Sequence, residues 1–204
     1  GTVAFSGAAP KMEKLDRKAD PFCATAEVVD PTVTLSKNGK GLANVLVRLT
    51  NAPTGAPVPA APVIISQKGC MYLPRVQGGM TGQKVQILNE DGTLHNVHAY
   101  NGKKTLFNQA QPPAAKPIVK DVKSTEILSV KCDVHSWMAA YVILSKHPYF
   151  ATTNADGSFQ IKDVPPGTYT AEAWHEKLGT QTAEVTVVEG KAADPKLSFS
   201  DKKG

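Results

Sequence analysis

One thiolate, one imidazole and one thioether stand in the single run Cys132-Asp-Val-His135-Ser-Trp-Met138, and a second imidazole lies upstream in Leu94-His95-Asn96-Val-His98. A fold that uses all four must set a strand end, a tight loop and a neighbouring strand side by side. A Cys closing one β-strand, a His three residues on and a Met three beyond that can curl round one ion; His95 then arrives from the adjacent strand. Trigonal His₂Cys with a weak axial Met is the ligand set of a mononuclear blue-copper electron-transfer site. Structural zinc sites take four Cys or His ligands and do not recruit Met. The expected ligands are therefore His95, Cys132, His135 and Met138, with donor atoms within about 4–5 Å of one another even without metal.

A C-x₂-H-x₂-M string alone is common, and its surroundings carry the rest. These are Met71-Tyr72, the strand entry Gly82-Gln-Lys-Val85, Asn89, the string His95-Asn-Val-His98 and the alternating strand that starts at Tyr141. With the short loop, these features make residues 62–145 resemble a cupredoxin, and most closely the amicyanins. The resemblance implies a Greek-key β-sandwich holding one type 1 copper ion. It also implies that His98 is not a ligand and that Asn96 ties the two ligand loops together behind the metal. It gives His135 as the electron port, and Trp137 as either packing beneath the loop or part of an apolar docking patch, with packing preferred. Tyr100, Phe107 and Tyr141 are expected in the core.

The chain departs from the amicyanin pattern at Val130, where a Tyr is common, and at Val134 and Ser136, where prolines flank the His. Val134 therefore keeps an N–H. The expectation is that this N–H and one from Asn96 both reach the Cys132 sulfur, raising the reduction potential above that of a Val134→Pro protein.

The three cysteines support the same assignment. An odd number in an exported protein leaves one thiol to explain, and a metal would hold Cys132. Cys23 and Cys70 are then expected to pair, a bridge worth roughly 4 kcal/mol in the chain-entropy model. The alternative is three reduced, buried cysteines in a cytosolic protein.

Val, Thr and Ile are frequent, Gly and Pro punctuate the 204 residues, and only Lys11–Lys18 has a helical look. This is the pattern of sandwiches or barrels, an all-β chain. No apolar run approaches the roughly 18 residues of a membrane-spanning helix. The chain opens at Gly1, read as a mature form whose signal peptide has been removed. The formal charge of +5 is spread over Lys11–Lys18, Lys103–Lys104, Lys116–Lys123 and Lys202–Lys203 with acidic residues between. It lacks the basic stripe with exposed aromatics that nucleic-acid binding requires.

Two breaks divide the chain: the Pro/Ala/Gly connector over 51–62 and Lys146-His-Pro-Tyr-Phe150. Beyond the second lie turn signals at Asp156-Gly157 and Pro165-Pro166-Gly167 and a strand over Ala183–Val188. With Gly1-Thr-Val and Leu42–Leu49, these resemble a carboxypeptidase regulatory-like, transthyretin-like β-sandwich. The layout expected is a discontinuous sandwich, residues 1–50 plus 147–200, with the cupredoxin inserted at 60–146. In the competing layout Val33–Leu49 belongs to the cupredoxin. His147 and His175, with Glu176, are a candidate second metal pair, with packing and hydrogen bonding the preferred role.

The function expected is a periplasmic or secreted one-electron carrier, not an enzyme. Its partner would be a redox protein such as a c-type cytochrome or a periplasmic dehydrogenase, with no nucleic acid. The rival is a redox-quiet copper-binding, copper-buffering or surface interaction protein. Visible colour on adding Cu(II) separates them.

Overall fold

The computed structural model describes residues 1–122 and 126–201; Lys123, Lys202 and Lys203 of the basic groups above lie outside them. The fold is all-β. Strands β1 (Val3–Ser6) and β2 (Leu46–Leu49) open the chain. Nine follow: β3 (Val63–Gln67), β4 (Tyr72–Leu73), β5 (Val76–Met80), β6 (Lys84–Asn89), β7 (His95–Asn101), β8 (Lys104–Gln111), β9 (Ile118–Asp121), β10 (Ile127–Lys131) and β11 (Ala139–Ser145). The last are β12 (Phe150–Thr152), β13 (Gly167–His175), β14 (Gly179–Val187) and β15 (Leu197–Ser200). Among the described residues the only helical turn is 3-10, at Cys23–Thr25.

The chain forms two compact units, one of Gly1–Met12, Pro31–Ala56 and His147–Gly204, the other of Glu13–Asp30 and Pro57–Lys146. The first contains a four-stranded sheet in the order β12-β2-β13-β14 and the parallel pair β1-β15. Leu46–Leu49 pairs antiparallel with both β12 and β13, so it belongs with the C-terminal strands. Val3, Phe5, Leu42, Val47, Tyr169 and Phe199 are among the residues of its core.

The second unit has two sheets, β4-β3-β6-β9 and β5-β11-β10-β7-β8. Its core joins Val63, Ile65, Val85 and Ile87 of one sheet to Val97, Leu128, Val130 and Val142 of the other. The parallel pairs β3·β6 and β5·β11 require crossovers between sheets, the sandwich topology.

The structure differs from the sequence expectation at residues 13–30. They join the second unit instead of remaining with 1–50, so the chain passes between units four times and not twice. This segment is a strap. Its ends are paired by the Lys14–Val29 bridge and by Leu15 N–H donating to Val28 O. Its tip is tied by the Cys23–Cys70 disulfide, with Cα atoms 5.6 Å apart. Lys11–Lys18 is accordingly not helical: pairing across the strap overrides a weak local propensity.

Candidate metal centre

Strand alternation delivers three of the four expected ligands. Successive side chains on a strand point to opposite faces. His95, Val97 and Ala99 share the core-facing side of β7, and Asn96 beside them is also buried. Leu128 and Val130 are those of β10, and Cys132 continues the same face two residues on. Met138 likewise extends the buried series Ala140, Val142 and Leu144 of β11. His95 thus opens β7, Cys132 follows the end of β10 and Met138 precedes β11, each in line with the core-facing side of its strand. His135 sits on the loop between, where Met138 N–H donates to His135 O at 2.9 Å and Cys132 N–H to Met138 O at 3.4 Å.

The donor atoms of His95, Cys132 and His135 lie within 4.8 Å of one another. His95 Nδ1 is 2.9 Å from His135 Nδ1, and Cys132 Sγ is 3.8 Å from His135 Nδ1. Metal bonds of about 2.0–2.1 Å to nitrogen and 2.3 Å to sulfur place neighbouring donors roughly 3–4 Å apart, so this set fits one ion. Met138 is fully buried in the same core.

The outer nitrogens decide which face of each ring is available. His95 Nε2 lies 2.9 Å from Asp91 Oδ2, and His135 Nε2 lies 2.9 Å from Asp20 Oδ2. A carboxylate accepts only, so each Nε2 carries a hydrogen, and a ring with no second hydrogen turns an Nδ1 lone pair inward. Two lone pairs at 2.9 Å repel unless a cation lies between them. Burial pushes the His95 pKa down, against the opposing effect of its hydrogen bond to Asp91, and so favours the neutral form.

The supporting contacts are dense. Asn96 N–H donates to Cys132 Sγ at 3.5 Å. The Asn96 side chain accepts from Asp133 N–H through Oδ1 and donates from Nδ2 to Asp133 Oδ2 at 3.0 Å and Asn108 Oδ1 at 2.6 Å, joining β7 and β8 to the loop. The Tyr72 hydroxyl donates to Asn96 O at 2.6 Å, and burial, then the charges of Cys132 and Asp133, raise its pKa.

Three sequence expectations need correction, and a fourth, the packing of Trp137, agrees with the structure. Among the described residues no hydrogen bond runs from Val134 N–H to Cys132 Sγ; Val134 is 53% exposed, and lacking proline does not aim an amide inward. His135 is only 2% exposed, because Asp20 on the strap covers its Nε2 edge, so the ring is not a bare electron port. Tyr100 stacks on His98 instead of entering the core, and its hydroxyl bonds His98 Nδ1 at 2.8 Å. Trp137 packs against the core, with Nε1 donating to Cys70 O at 2.9 Å.

His98 bonds Asp133 and Thr105 and lies outside the donor cluster. His147 and His175 belong to no metal-capable group among the described residues; His147 Nδ1 accepts from Tyr149 N–H, and His175 Nδ1 from Lys177 and Leu178 N–H.

The family model for domain II of polysaccharide lyase family 4 matches residues 113–195, a stretch that runs across the division between the units at 146/147. That is a different β-domain from the carboxypeptidase regulatory-like one expected from the sequence, which none of the comparisons supports. No curated protein matches the chain. The solved structures that resemble it are cupredoxins. A purple cupredoxin from Nitrosopumilus maritimus shares 19% identity at a TM-score of 0.36, over 41% of this chain and 99% of its own. The amicyanin of Paracoccus versutus shares 19% at 0.38, over 48% of this chain and 97% of its own. A copper-containing nitrite reductase from Thermus scotoductus shares 15% at 0.38, over 46% of this chain and 25% of its own.

Sequence reasoning missed the two carboxylates and the buried Arg17, whose Nη2 donates to Gly69 O at 2.7 Å and whose guanidinium lies 5.9 Å from the Trp137 ring. Asp91 stands four residues before His95, a spacing that could have flagged it. Asp20 could have been found only by following the expected Cys23–Cys70 bridge back three residues.

Proposed function

We propose that the protein is a one-electron carrier with a mononuclear type 1 copper site held by His95, Cys132, His135 and Met138. The observation that supports it best is the pair of Nδ1 atoms 2.9 Å apart, each ring fixed from behind by a carboxylate, beside a buried free thiol. Copper, when bound, supplies the Cu(I)/Cu(II) couple. The protein's own part is to hold a cysteine sulfur and two imidazole nitrogens in place and to exclude water, since Cys132, His95, His135 and Met138 are all buried. Positioned rings and a buried thioether leave no open position of the kind a catalytic metal needs, which favours a carrier over an enzyme.

The disulfide supports an oxidising compartment, periplasmic or extracellular. Among the described residues no helix is long and apolar enough to cross a membrane. The net charge of +5 suits an acidic redox partner, such as a c-type cytochrome or a periplasmic dehydrogenase. The first unit is read as a transthyretin-like interaction module, a reading supported by the pairing of β2 with β12 and β13.

Titration with Cu(II) tests the reading. Wild-type protein should develop an intense visible band and a reversible one-electron wave. Cys132→Ser should lose the band while keeping the wild-type far-UV circular dichroism. A colourless adduct with no wave would overturn the carrier reading in favour of redox-quiet copper binding.

A further inference from the structure

The two half-cystines and the two ligand imidazoles are joined by one connected set of contacts. Cys70 N–H donates to Asp91 Oδ2 at 2.8 Å and Gly69 N–H to Asp91 Oδ1 at 2.7 Å; Asp91 Oδ2 in turn faces His95 Nε2 at 2.9 Å. On the other arm Cys23 N–H donates to Asp20 Oδ1 at 3.4 Å and Phe22 N–H to the same oxygen at 2.8 Å. Asp20 Oδ2 takes the Thr93 hydroxyl at 2.8 Å and faces His135 Nε2 at 2.9 Å. Cys23 Sγ itself lies 3.6 Å from His135 Nε2.

Asp20 is brought there from 115 residues away in sequence. Its two oxygens divide the work: Oδ1 caps the turn at Phe22 and Cys23, and Oδ2 faces the ligand ring and Thr93. The strap is anchored to the unit at further points. Arg17 donates to Gly69 O, and the disulfide is its one covalent tie. Without that tie the carboxylate would pay the ordering entropy of a free loop each time it met His135.

We propose that Asp20 is a positioning residue for the metal centre and that the Cys23–Cys70 disulfide holds it against His135. The proposal rests on the copper reading above. Asp20 fixes the Nε2–H tautomer of His135, so that Nδ1 faces the ion. Its negative charge makes the ring a stronger donor and favours the divalent state. An outer partner of this kind typically contributes a factor of 10–100 in metal affinity.

Asp20→Asn is the informative change, because the amide oxygen can still cap the turn while the nitrogen cannot accept from Nε2–H. Three quantities are measured on the full chain. They are Cu(I) affinity by chelator competition, reduction potential by voltammetry, and the His135 ring tautomer in metal-free protein by nitrogen NMR. Asp20→Asn should weaken binding about 10–100-fold, raise the potential and shift the tautomer toward Nδ1–H; Asp20→Glu should restore part of each. The Cys23→Ala/Cys70→Ala protein, with Asp20 present but untethered, should move in the same direction. If that variant does not fold, Asp20→Asn alone decides. Wild-type affinity, potential and tautomer in Asp20→Asn would overturn the proposal and leave the copper reading standing. A wild-type protein that takes up no copper would overturn both.

Discussion

Asn96 shows how one side chain can organise the loop that carries Cys132 and His135. Its backbone N–H points at the Cys132 sulfur, while its amide grips Asp133 from both ends, Oδ1 taking the N–H and Nδ2 reaching the carboxylate. A buried polar group is costly to leave without partners, and the Cys132 sulfur takes its donor from the backbone. Asn96→Ala should therefore keep the N–H···S contact and the visible band but lose the ties to Asp133 and Asn108. A stability loss of about 1–3 kcal/mol in denaturant unfolding is expected, the cost of leaving such partners unpaired; unchanged stability would show that the loop holds itself. The grouping of Cys132 with His135 could be read from the sequence because their spacing is a local property. Asp20 could not, since a carboxylate three residues before a cysteine carries no signature until the disulfide partner is placed. The Val134 expectation failed for a related reason: the absence of proline frees an N–H but does not give its direction.

At the scale of elements, β10 determines most of the site. It lies between β7 and β11, which carry His95 and lead back from Met138. Its alternating burial, with Leu128 and Val130 inward, is what turns Cys132 toward the core. That alternation is visible in the sequence, as is the strand after Met138, so the strands flanking the loop were legible. The strap was not, because its extended form comes from pairing and a disulfide and not from its own residues. Leu128→Ala would remove a fully buried side chain from the middle of this strand. A loss of about 2–5 kcal/mol is expected, the range for such core truncations. The position of the copper band in the folded fraction should not change, because the register of β10 with β7 and β11 is fixed by its backbone pairing. A displaced band would show that Leu128 packing, and not register, aims Cys132.

Across the whole molecule the two cores are separate sets of residues, and the ligands, both carboxylates and the disulfide all belong to the unit of residues 13–30 and 57–146. The other unit has its own critical point, where three backbone segments meet. Leu42 N–H donates to Val3 O at 3.0 Å, and Val3 N–H donates to Gly157 O at 2.9 Å. This close approach requires glycine on both sides. A Cβ on Gly41 would overlap the Asp156 carbonyl oxygen, and one on Gly157, at φ +85°, would meet Gly41 Cα at 2.7 Å. Backbone, unlike a side-chain tip, cannot rotate away. Gly41→Ala must therefore separate the segments and break the Leu42–Val3–Gly157 bonds, costing about 1–3 kcal/mol as overpacking does. Denaturant unfolding followed by far-UV circular dichroism should show the earlier transition. Under conditions where the variant remains folded, its copper band and affinity should equal those of wild type, because no ligand or supporting carboxylate lies in the damaged unit. Loss of the band in folded Gly41→Ala protein would mean that the first unit helps to shape the metal site, and an unchanged unfolding midpoint would mean that the glycine contact is not needed for stability.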